Sequence, residues 1–155
     1  SFNSISVHFS EIFETLFPGG KGSLSFTDKT NILETGIEIS VQPRGKKVKK
    51  LSLLSGGERS LAAIAFLFSI FKSFPSPFYI LDEVEAALDD ANLHRMINLL
   101  DKIKEDAQYI IVTHQQQTMH AGDVLYGVTM EPGSGSRVFT KTKEDFESLI
   151  GTYEK

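Results

Sequence analysis

The chain of 155 residues is long enough for one domain with a sizeable core, and its formal net charge is −4. That balance argues against coating nucleic acid by bulk charge, so any contact with DNA has to be local. The absence of cysteine excludes a disulfide framework or thiolate metal site and fits a reducing compartment. The longest apolar run, Leu61 to Phe71, is too short to span a bilayer, and the chain opens on no signal-peptide pattern, so a soluble cytoplasmic domain with no membrane contact is expected.

In chain order, Phe2, Ile5, Phe9, Ile12, Phe13, Leu16 and Phe17 form one apolar helical stripe. The helix begins without a convincing cap and is ended by Pro18-Gly19-Gly20. Residues 22–27 and 36–43 alternate as strands do and predict an antiparallel pair beside the main sheet. An apolar helix follows Ser55; being apolar all round, it is expected to be deeply packed. Residues 77–81, "PFYIL", and 108–113, "QYIIVT", are continuous apolar runs of the kind buried on both faces of a parallel sheet. Between them, Leu93, Met96, Ile97, Leu100 and Ile103 share a helical face, so the three segments predict a right-handed parallel crossover. Residues 124–130 turn through "EPGSGS" into 137–140 as a hairpin, and a polar helix is expected around 143–150.

The chemistry sits on this frame. Asp82 and Glu83 end one buried run and His114 ends the other, and in an open α/β sheet such strand ends converge on one crevice. An aspartate that holds magnesium beside a glutamate that orients water suits a nucleotide triphosphatase. Taken alone, the acidic pair reads first as the start of a solvated loop. Ser55 and Glu58 have capping-box spacing at the mouth of the apolar helix, so the helix starts at Gly56-Gly57 with backbone N–H groups and the positive dipole end facing outward. That suits a phosphate, although glycines at a simple loop-to-helix junction would read the same way. No segment matches G-x-x-x-x-G-K-[ST]. The stretch 44–50, "RGKKVKK", holds five of sixteen basic residues and reads first as a solvated loop, second as a DNA contact. His8, His94 and His120 lack metal-ligand spacing.

Together these segments carry a resemblance. "LSGGE" (Leu54 to Glu58) resembles the signature motif of the ABC ATPase superfamily, "FYILDE" (Phe78 to Glu83) its Walker B strand, "ALD" (Ala87 to Asp89) its D-loop and "VTH" (Val112 to His114) its switch histidine. "LDEVEAALDDAN" and "DVLYGVTM" are similar to the C-terminal head lobe of bacterial SMC proteins, the chromosome structural maintenance ATPases, and the likeness covers nearly the whole chain. Val84, standing where transporter ATPases carry proline, sets the chain apart from those, while one departure is that "QQQTM" follows His114 where many bacterial relatives carry basic residues.

The resemblance implies an α/β lobe with a mainly parallel sheet flanked by helices and a C-terminal β-hairpin. Residues 1–17 would continue a coiled-coil arm, 18–50 would form accessory strands, and 51–155 would carry the signature, Walker B, D-loop and switch elements. It implies ATP and Mg2+ as cofactors, with Asp82 on magnesium, Glu83 as general base and His114 sensing the terminal phosphate. Leu54, Ser55, Gly56, Gly57 and Glu58 would meet the nucleotide of a second head, and Asp89 would couple the two sites. The phosphate loop would lie in an N-terminal lobe of the same protein, so this half alone is expected to be inactive. The implied partners are that lobe, a second SMC head in a homodimer, a kleisin subunit and nucleoid DNA in the cytoplasm. The alternative is a non-catalytic module of the same fold that docks a kleisin.

Overall fold

The computed structural model describes residues 1–28, 30–31, 34–42, 44–45, 47, 49–131 and 133–145. The chain divides into two units, Ser1–Val112 and Thr113–Lys155.

The first unit opens with helix α1, Phe2–Leu16, whose stripe buries Phe9, Ile12, Phe13 and Leu16. As the sequence suggested, no side chain caps it at Ser1. The turn after it uses Gly19 at φ 75°, a left-handed value that glycine adopts without cost. Strands β1 (Lys21–Phe26) and β2 (Ile37–Gln42) pair antiparallel, as expected, with Leu24 opposite Ile39; the anticipated end of the second strand at residue 43 lies outside the described residues. Helix α1 packs across β1 so closely that a methyl group at Gly22 would lie 2.6 Å from Phe13 Cγ. Ser10 adds a hydrogen bond at this crossing, its hydroxyl donating to the Gly22 carbonyl at 2.7 Å.

A two-residue strand β3, Lys49–Lys50, extends the sheet where the sequence suggested loop, and the Lys50 ammonium contacts Glu38 at 2.6 Å. That hydrogen bond and charge hold the Lys50 pKa above its ordinary value. Residues 46 and 48 of the basic stretch lie outside the described residues.

A 3-10 turn over Leu51–Leu53 leads into helix α2, Gly56–Ser73. Leu61, Ala62, Ile64, Ala65 and Phe68 are buried, and α2 packs against α1. The deep all-round packing expected of α2 is not found: Phe66, Leu67, Ile70 and Phe71 are only half-buried, because elements of this unit cover one side of the helix. Lys72 reaches Glu11 of α1 at 2.8 Å, and this pairing lowers the Glu11 pKa.

Strand β4 (Phe78–Asp82), helix α3 (Asp90–Ile103) and strand β5 (Gln108–Val112) follow, with β4 and β5 parallel and Ile80 opposite Ile110. The apolar face of α3 buries Leu93, Met96, Ile97 and Leu100. Among the described strands, parallel pairing is confined to β4 and β5, while β1-β2-β3 and the later two-stranded sheet are antiparallel, so the described strands do not by themselves make a mainly parallel sheet. Nor are these strands buried on both faces. Tyr79 and Tyr109 stack at 5.3 Å on the inner face with Phe71 beyond, whereas Phe78, Ile80, Ile110 and Val112 on the other face are 45 to 63% exposed. Two strands cannot enclose themselves, and among the described residues of this unit none covers the outer face. Burial pushes the Tyr109 hydroxyl up to about 12.

The second unit contains a short helix α4, Gln116–Ala121, and the expected hairpin of β6 (Val124–Glu131) and β7 (Ser134–Thr142). β7 is longer than the residue pattern indicated, because pairing with β6 carries it through polar positions; the register shifts at Met130/Glu131. Helical structure resumes at 143–145, where the Asp145 N–H donates to Thr142 Oγ1 and the Asp145 carboxylate accepts the Thr142 N–H and hydroxyl. The rest of the expected closing helix, 146–150, lies outside the described residues.

Candidate functional site

The loop before α2 is built for exposure at its tip and anchorage behind it. Leu54 is buried at 6% exposure, so its side chain serves as the anchor, while Ser55 and Gly56 are exposed. Arg59 fastens the approach by donating from Nη2 to the carbonyls of Ser52 and Leu54 at 3.1 and 3.3 Å. Both bonds of the capping box form, the Glu58 N–H donating to Ser55 Oγ and the Ser55 N–H to Glu58 Oε2, each at 3.4 Å. At that length they are weak. A side chain at Gly56 would meet nothing within 4 Å, which leaves room for a ligand group against the first turn of α2.

Gly57 is a different case. A methyl group there would lie 2.9 Å from Asn92 Nδ2 and 3.3 Å from Asp89 Oδ2, so what approaches this glycine is the start of α3 in the same unit. Asp89 is the N-cap of α3, its Oδ1 accepting the Asn92 N–H at 2.8 Å and its Oδ2 accepting from Asn92 Nδ2 at 3.2 Å. Asn92 is buried at 6% exposure, and its Oδ1 accepts from Arg95 Nη1 at 3.3 Å. The sequence reading assigned Asn92 no role, although a polar residue three positions after a helix-capping aspartate was the available signal.

Asp82 and Glu83 stand at the carboxyl end of β4, both exposed, with Asp82 opposite Val112 in the ladder. Glu83 continues the pairing, its N–H donating to the Val112 carbonyl at 3.0 Å. Its φ is 46°, the only positive value among the described non-glycine residues. A long side chain in the left-handed region is uncommon and costs about 1–2 kcal/mol. Ala86 and Leu88 donate back to the carbonyls of Glu83 and Glu85 at 3.1 and 2.9 Å, and these turns carry the chain toward Asp89. His114 is exposed in the second unit, two residues after β5 in the chain.

The structure thus brings together two sets within the first unit, the Ser55–Gly57 loop with Asp89, and the Asp82-Glu83 corner with the end of β5. Of the other histidines, His94 and His120 are exposed and His8 shares a hydrogen bond with Ser73 Oγ at 2.8 Å. A cleft of about 530 Å³ lies at the opposite, amino end of the parallel pair, lined by residues including Ile12, Phe71, Tyr79 and Tyr109, and contains none of the site residues.

Residues 10–136 match the model of the RecF/RecN/SMC N terminal domain family. The chain is similar to the chromosome partition protein Smc of Mycolicibacterium paratuberculosis, 54% identical over 131 residues, which is 84% of this chain and 11% of that protein. It is also similar to that of Bacillus subtilis, 49% identical over 150 residues, 97% of this chain and 13% of the relative. The chain therefore spans little more than a tenth of these relatives' length. Among solved structures, it superposes with a TM-score of 0.84 and 38% identity on a chain from work on ATP-driven dimerization and DNA stimulated activation of SMC ATPases, covering 99% of this chain and 93% of that one. The Smc head of Pyrococcus furiosus, bound to the C-terminal domain of ScpA, matches at TM-score 0.80 and 38% identity over 99% of this chain and 38% of that one. On sequence and fold alike, the chain belongs to the RecF/RecN/SMC N terminal domain family, and within it to the SMC heads.

Proposed function

We propose that this chain is the C-terminal half of the ATPase head of a chromosome-partitioning SMC protein, and that it works only when joined by the N-terminal lobe. The observation that carries the reading is Glu83, an exposed carboxylate held in a left-handed backbone directly after Asp82 at the end of a parallel strand. Strained residues persist where the surrounding structure holds them, and they concentrate at active sites. The exposed apolar face of β4 and β5 supports the missing lobe, because parallel sheets are stable when both faces are covered. In the complete head, further parallel strands from that lobe would extend this pair and supply the phosphate loop.

The donor set fits the cofactors. Asp82 offers the single carboxylate that magnesium commonly takes alongside water and phosphate oxygens, and open space at Gly56 fits a phosphate on the α2 terminus. Bound MgATP would supply a polarised terminal phosphoryl group. Glu83 would orient the attacking water and accept its proton on the carboxylate, and the His114 ring would hydrogen-bond a terminal phosphate oxygen. Leu54 would anchor the loop on which Ser55, Gly56, Gly57 and Glu58 meet the nucleotide of the second head, with Asp89 linking the two sites. Engagement and release of paired heads would then act on DNA through the long arms. The solved relative bound to ScpA supports a kleisin partner of that kind.

The alternative, a non-catalytic kleisin-docking module, gives no reason for both Asp82 and Glu83. The test is ATP hydrolysis by the chain alone and after addition of its N-terminal lobe. Silence alone and turnover with the lobe are expected, with turnover cut by about 10²–10⁴ in Glu83→Gln while ATP-dependent head engagement persists. Turnover by the chain alone, or rapid turnover in Glu83→Gln, would sink this reading.

A further inference from the structure

We infer that Asn92 is a positioning residue that locks the Ser55–Gly57 loop to Asp89, so that the two elements facing the second head move as one body. The inference rests on the proposed head-to-head reading and adds to it the residue that joins the two elements within one head. Its basis is the contact at Gly57, where a Cβ would stand 2.9 Å from the Asn92 amide nitrogen, too close unless that amide shifts.

Asn92 is held from three sides. Its backbone N–H and its Nδ2 both donate to the Asp89 carboxylate, and its Oδ1 accepts from Arg95. The amide orientation follows from chemistry: the NH2 faces a carboxylate and the oxygen faces a guanidinium, so a flipped amide would oppose like groups at both ends. Burial at 6% exposure leaves little room for another rotamer. A displacement of the α2 terminus at Gly57 therefore presses first on Asn92 and, both through it and directly, on Asp89. Because Asn92 lies behind both, it acts through them and touches no substrate.

The test uses the full-length protein carrying this segment, in a Glu83→Gln background that holds ATP-engaged heads. Engagement is read by crosslinking between heads across an ATP titration, and nucleotide affinity separately with a fluorescent ATP analogue at protein concentrations where heads stay apart. Asn92→Ala is expected to weaken engagement about tenfold while leaving the affinity of unengaged heads unchanged, and Gly57→Ala is expected to weaken engagement by a similar factor. The double variant is expected to be no worse than either single one, because the new methyl group occupies space that the amide vacated. Asn92→Asp keeps the shape but sets a second carboxylate against Asp89, so it should fall with Asn92→Ala; full engagement by this variant would mean that Asn92 only fills space and would overturn the inference. Losses that multiply in the double variant, or a fall in the affinity of unengaged heads in Asn92→Ala, would also overturn it. If the Glu83→Gln parent itself fails to engage on ATP, the head-to-head reading has failed and this inference falls with it. A parent that engages, with Asn92→Ala equally competent, removes the coupling alone.

Discussion

At the scale of single residues, Glu83 combines two demands that oppose each other. Its carboxylate stands at the strand end where chemistry requires it, and its φ of 46° is a conformation that a Cβ disfavours. Glycine removes that cost, so Glu83→Gly is expected to stabilise the chain by about 1 kcal/mol relative to Glu83→Ala in urea unfolding, with hydrolysis absent from both once the head is assembled. Equal midpoints for the two variants would show that the backbone there is relaxed. The strand-end carboxylates were legible in the sequence because the apolar run stops at Leu81. The left-handed backbone was not, since it is held by a hydrogen bond to Val112 on a strand that arrives only after α3.

At the scale of elements, the two helices that meet at Gly57 are capped unequally. Asp89 receives the Asn92 N–H at 2.8 Å, while the corresponding bond at Ser55 is 3.4 Å long. Removing the shorter bond should cost more: Asp89→Ala is expected to lower stability by about 1 kcal/mol and Ser55→Ala by about 0.5 kcal/mol, read from thermal unfolding. Asp89→Asn should hold stability near the parent, because asparagine caps equally well. Ser55→Ala should nonetheless impair head engagement, since its hydroxyl contributes little to the helix and stands exposed beside Gly56. A Ser55→Ala chain that lost stability but engaged normally would reverse that division of labour. The capping box was readable from the Ser55 to Glu58 spacing. The Asp89 cap was not read at all, and the resemblance supplied a role for that residue without its local geometry.

At the scale of the molecule, the outer face of β4 and β5 is the largest departure from what the residue pattern suggested. Continuous apolar runs are the mark of strands covered on both sides, and that inference assumes the cover belongs to the same chain. Here Phe78, Ile80, Ile110 and Val112 remain exposed, and the outward side of α2 is only half-buried. Replacing Ile80 by threonine should therefore change the stability of this chain by less than about 0.5 kcal/mol. The same substitution should weaken reconstitution with the N-terminal lobe by about tenfold or more, since a buried isoleucine contributes about 1.5–3 kcal/mol. Titration of one half with the other would check this, and undiminished reconstitution would place the lobe elsewhere.

The sequence by itself determined the order of the principal helices and strands, the stripe on α1, the start of α2 at its glycines and the acidic strand end, because each follows from local periodicity, capping or motif spacing. Only the tertiary structure decided that Gly57 is occupied by the first unit's own Asn92, that Glu83 is left-handed, that a third strand joins β1 and β2, and that one face of the parallel pair stays open. These depend on which distant segments meet and which do not. A local pattern records how strongly a face seeks cover, but the contacts that provide it come from other parts of the chain or from another lobe.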